Sequence, residues 1–117
     1  MRARLIRGLL AVVLIASGCR TVGRATTPPG TTVPLFEGLG HHHRTVTTAS
    51  PMAQRYFDQG LIWMFAFNHD EAIRAYQQAA ALDAECAMAW WGIALCNGPH
   101  INNPVMPPER SKAAWDA

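Results

Sequence analysis

The chain has 117 residues, enough for one small domain. Its ten Lys and Arg against eight Asp and Glu give a formal charge of +2, but Arg2, Arg4 and Arg7 sit in an amino-terminal segment with the pattern of a cleaved signal. Without them seven basic residues face eight acidic ones, net −1, with no basic patch interleaved with aromatics, so nucleic-acid binding is excluded as an expectation.

The first element in the chain is that signal, residues 1–18. Three arginines precede the apolar run LLAVVLI, which is shorter than the about 20 residues a spanning helix needs. Ala16, Ser17 and Gly18 are the small residues of a cleavage site, and Cys19 follows. This resembles a bacterial lipoprotein signal, which implies lipidation at Cys19. Arg20 after that cysteine resembles the pattern of lipoproteins sent to the outer membrane. The implied location is the cell envelope, lipid-anchored and facing the periplasm.

Residues 19–34 (CRTVGRATTPPGTTVP) are rich in Thr, Pro and Gly and read as a flexible tether. Residues 35–50 regain apolar and β-branched side chains and read as an extended lead-in lying against the helices. Ser50-Pro51 is a helix start, a capping hydroxyl before a proline at the first helical position. The first helix is predicted over 51–67, with 68–70 as the turn. A second helix follows, with Asp70 and Glu71 in its first turn against the helix dipole. Ala72, Ile73, Tyr76, Ala79, Ala80 and Leu82 give it one buried face. The third helix, 87–97, is apolar on most of its surface, with Trp90 and Trp91 read as core and groove wall. Gly98-Pro99 ends it. Residues 98–107 form a loop longer than a tight turn, and a short fourth helix starts near Pro108.

The spacing of Tyr56, Gly60, Trp63, Ala72, Tyr76 and Ala79 resembles the tetratricopeptide repeat, a helix–turn–helix unit of about 34 residues. A second unit starts at Ala87, with Trp90 and Ala94 at the aromatic and small positions. Gln59 stands where the pattern has leucine, and Ala84 where it has proline. The fold class implied is all-α, about 1.5 repeats of an α-solenoid (51–86 and 87–117, the second with the inserted loop and cut short), after the signal and the flexible segment. PMAQRYFDQGL, AFNHDEAIRAY, AMAWWGIAL and GPHINNPVMPPE are similar to the front part of bacterial secreted or lipoprotein tetratricopeptide proteins. A fragment of that kind, lacking the repeats that complete its core, is expected to be only marginally stable.

Such repeats imply a groove lined by first helices, holding a protein or peptide partner. Gln54, Asp58, Ile62 and Phe65 are the candidate groove residues, and His100, Asn102 and Asn103 are candidate binders in the loop. No nucleophile–base constellation, phosphate-binding glycine loop or paired zinc motif is present, so no enzyme and no cofactor are expected. The alternative is a metal-binding or redox-associated periplasmic protein using His41, His42, His43, His69 and His100. Against it, neighbouring residues of an extended segment point to opposite sides. Cys86 and Cys96 lie one helix apart, about 15 Å, beyond disulfide reach, and are expected as buried thiols.

Overall fold

The structure, a computed structural model, describes residues 25–117. The signal, Cys19 and the first residues of the tether lie outside the described residues. Four helices dominate: α1 (Pro51–Phe65), α2 (His69–Leu82), α3 (Ala87–Asn97) and α4 (Pro108–Asp116). Two two-residue strands, β1 (Ala25–Thr26) and β2 (Leu35–Phe36), pair antiparallel with Thr26 opposite Leu35. The fold is therefore mostly helical, with a small ladder that an all-α reading omits.

α1 starts as its cap residues dictate. Ser50 Oγ accepts from the Ala53 amide at 3.2 Å, and Pro51 occupies the first turn. It ends two residues earlier than predicted. Phe67 adopts φ 61, the left-handed region that favours glycine. Its amide donates to Met64 O at 3.1 Å, and the Asn68 amide reaches back to Trp63 O at 2.9 Å. These are the two bonds of a Schellman helix end, built here on a phenylalanine. His69, assigned to the turn by sequence, consequently opens α2, with Asp70 in its first turn as expected. Because the left-handed region costs a side-chain-bearing residue about 1 kcal/mol, Phe67→Gly is expected to stabilise the fold by about that amount. A rise in the urea midpoint checks it, and a fall contradicts it.

α2 packs between α1 and α3, and α4 packs on α3. The close approach on both sides of α2 depends on Tyr76, which is fully buried. A Cβ on Gly60 would stand 2.7 Å from the Tyr76 ring, and one on Gly92 would stand 2.6 Å from its other edge. The ring thus fills the space between two glycine-bearing helices. Phe57 packs against it with ring centroids 5.6 Å apart. Ala53, Tyr56, Ala72, Ala79, Cys86, Ala89, Ile93 and Cys96 complete the core.

Two expectations for α3 are corrected here. The small residue at the crossing is Gly92, with Ala94 only half-buried. Trp90 and Trp91 are on the surface, 38% and 43% exposed. Ala89, Gly92, Ile93 and Cys96 already supply the buried face, which leaves no room for an indole. Trp90 instead donates from Nε1 to Ala84 O at 2.9 Å, closing the α2–α3 turn.

The tether reading is also corrected, for residues 31–34. These residues are bound to the helices by buried polar side chains. Gln78 Oε1 accepts from the Thr32 amide at 2.9 Å, and the Tyr56 hydroxyl donates to Val33 O at 2.5 Å. Gln59 holds the strap at both ends of its amide: Oε1 accepts from Phe36 N and Nε2 donates to Pro34 O, each at 2.9 Å. Leu35 is buried in the core and Phe36 meets Trp63 edge-on, 5.8 Å between centroids. Composition missed this because the anchors are single glutamines and a tyrosine far along the chain.

Candidate functional site

The outer face of α1 carries a row of side chains that engage extended backbone. Below Gln59, Gln54 Oε1 accepts from Val46 N at 3.0 Å while its Nε2 donates to Arg44 O at 2.8 Å. Asp58 accepts from Arg44 N at 3.1 Å and pairs with His43 Nδ1 at 2.7 Å. Gln54 and Asp58, expected to face a partner, are therefore occupied by residues 43–46 of the same chain. Ile62 lines a recess of about 190 Å³ that Leu35, Phe36 and Leu39 also line. Phe65 stands free at the far end of α1, 71% exposed. His41, His42 and His43 are exposed on the strap, and His43 is committed to Asp58.

A second arrangement forms where the α1–α2 turn, the end of α3, the loop 98–107 and the start of α4 meet. A cavity of about 370 Å³ is lined there by Phe67, His69, Asp70, Asn97, His100, Asn103 and Arg110, among others. His69 and His100 stack, with ring centroids 4.2 Å apart and planes 19° apart. Phe67 packs edge-on against His69 at 6.2 Å. The loop is pinned by a mutual backbone pair between His100 and Asn103. Arg110 donates to Asn97 Oδ1 at 3.2 Å and to Asp70 Oδ1 at 2.5 Å, joining α4 to α3 and α2. His100 Nδ1 is buried and has no hydrogen-bond partner.

The electrostatics follow from these neighbours. Burial, then the adjacent His100, push the His69 imidazole below its ordinary value, with Asp70 opposing and Arg110 adding. The Arg110 hydrogen bond holds the Asp70 carboxyl below the usual carboxylate range. Burial raises the Cys96 thiol to about 11, which keeps it protonated and unreactive at neutral pH. For His69 the unfolded chain takes the proton first. Its contribution to stability is therefore present above the unfolded pKa and lost as pH falls through it. The urea midpoint of His69→Gln is expected to fall less than that of the wild type between about pH 7.5 and about pH 5.5, and equal slopes contradict the assignment.

Of the sequence-derived candidates, the fold brings together His69, His100 and Asn103, while Asn102 is exposed beside them. Stacked imidazoles hold their in-plane lone pairs in nearly parallel planes, a poor arrangement for converging on one ion. Among the described residues, no group of three or more His, Cys, Asp or Glu is placed to hold a metal. Sequence reading missed Arg110, Asn97 and Phe67. Phe67 alone left a signal, an aromatic at the residue after a helix end.

Taken together, the chain is a mostly helical protein of two packed helix pairs with a strap bound along the first helix. No helix among the described residues is long and apolar enough to cross a membrane. Comparison with protein-family models, curated proteins and solved structures finds no match.

Proposed function

We propose that the chain is a protein-interaction module of the tetratricopeptide type, held at the bacterial cell envelope by a lipid on Cys19 and facing the periplasm. The observation that carries the binding role is the row Gln54, Asp58 and Gln59 on α1. These side chains pair with main-chain N–H and C=O groups of an extended segment, the chemistry by which a helical face holds a peptide regardless of its sequence. The repeat reading rests on the residue spacing and on Tyr76 seated between Gly60 and Gly92. The strap already occupies Gln54, Asp58 and Gln59 on this face, so a partner peptide engages Ile62 and Phe65 first. The histidine-based metal alternative gains no support from the stacked pair or from His43, which Asp58 holds.

Peptide-library selection on the chain from Arg20 onward tests this reading. Selected peptides are expected to bind the parent and to lose about tenfold or more in affinity to Ile62→Asp and Phe65→Asp, the loss of a buried apolar anchor. Failure to select any peptide, or equal binding to both variants, overturns it.

A further inference from the structure

We propose that the cavity between α2, α4 and the loop 98–107 is a binding site for a small oxyanion, a carboxylate or a phosphate, independent of the α1 face. Three observations point to a ligand. The His100 ring lies on the cavity wall, stacked on His69, and its Nδ1 is buried without a hydrogen-bond partner, so a turn of the ring toward a guest would satisfy it. Phe67 holds a left-handed backbone on the cavity wall, where a glycine would serve the helix end alone, and strain of this kind concentrates at ligand-holding positions. The cavity, about 370 Å³, is large enough for a small molecule.

The donor–acceptor inventory names the class. Arg110 uses two of its five donors on Asn97 and Asp70, leaving the rest for a guest. The two imidazoles and the amide nitrogens of Asn68 and Asn103 add further donors around the same space. Among the described residues, Asp70 is the only carboxylate lining the cavity, and one of its oxygens is already bonded to Arg110. Arg110 is the one cationic side chain lining the cavity among the described residues, and its free donors favour an anionic guest. The helix ends do not decide the sign, because α2 and α4 begin where α3 finishes and their dipoles oppose. The titratable groups facing the stacked pair are Asp70 from α2, Cys96 from α3 and Arg110 from α4. With both imidazoles neutral, Arg110 and Asp70 cancel and the site is near zero charge. Protonation of one imidazole makes the site cationic, so an anion binds more tightly in acid.

The test is titration of the chain from Arg20 onward with sodium acetate and, separately, inorganic phosphate, following the imidazole C2–H proton signals at about pH 5.5 and about pH 7.5. Saturable shifts of the His69 and His100 signals are expected, with affinity several-fold higher at the lower pH, because raising one imidazole pKa by about one unit sets a limit of about tenfold. Arg110→Gln and His100→Ala are each expected to weaken binding by about tenfold or more. His100 lies in the loop, so its variant carries the test if Arg110→Gln also loosens α4, as circular dichroism would reveal. Tighter binding of acetate assigns a carboxylate ligand, and tighter binding of phosphate a phosphorylated one. Shifts that do not saturate, that sodium chloride reproduces at equal ionic strength, or that survive in both variants overturn the proposal.

Discussion

Replacing Tyr76 with alanine is expected to lower stability by about 3–5 kcal/mol, a large part of the about 5–15 kcal/mol that holds a domain together. The ring is fully buried, touches Phe57 and separates the backbones of α1 and α3 at Gly60 and Gly92. Removing it opens a cavity at the centre of the helix stack. Two milder changes locate the cause. Tyr76→Phe is expected to cost less than about 1 kcal/mol, since the hydroxyl reaches only Met64 Sδ at 3.9 Å. Gly92→Ala sets a methyl 2.6 Å from the ring. Overpacking of about 1–3 kcal/mol outweighs a helix-propensity gain of up to about 1 kcal/mol, so the expected sign is destabilising. Urea midpoints of the three variants check the series. A Tyr76→Ala midpoint close to the wild type would show that the ring does not organise the core.

Gln59→Leu restores the residue that the repeat pattern prefers, and it is expected to destabilise nonetheless. Leucine fits the apolar surroundings but leaves the Phe36 amide and the Pro34 carbonyl without partners. Leaving two such groups unpaired costs about 2–4 kcal/mol, less whatever the strap recovers by swinging into water. The expected signature is local before it is global. Chymotrypsin should cut after Phe36 much faster than in the parent, while circular dichroism of the helices holds at low denaturant. An unchanged cutting rate together with an unchanged urea midpoint would mean that Gln59 does not hold the strap. The same comparison explains why this position departs from the pattern: its side chain serves a segment that a bare pair of helices lacks.

The helices were legible because their signals are local. Ser50 and Pro51 mark the start of α1, Asp70 and Glu71 the first turn of α2, and Gly98 the end of α3. The buried face of α2 follows from its three- and four-residue spacing. α3 gave a weaker reading for a physical reason: with apolar residues all round, periodicity points to no face, and the repeat spacing put Ala94 rather than Gly92 at the small position. The strap was illegible because its anchors are distant in sequence. Thr32 meets Gln78 across 46 residues and Phe36 meets Gln59 across 23. Nothing in the run of threonines and prolines announces such partners. The stacked histidines are similar, each an ordinary polar residue until the loop folds back on α2.

Amide hydrogen exchange at Thr32, Phe36 and Val46, in the chain from Arg20 onward, tests most directly whether the chain's own extended segment is held along α1 and against α2. Each of these amides is bonded to a helix side chain: Gln78, Gln59 and Gln54 in turn. Exchange slowed by about 100-fold or more relative to an unfolded chain is expected, with the Phe36 protection lost in Gln59→Leu. Exchange at the unfolded rate at all three amides would contradict it, returning residues 31–34 to a tether, detaching the lead-in 35–46 and leaving the α1 face open along its whole length.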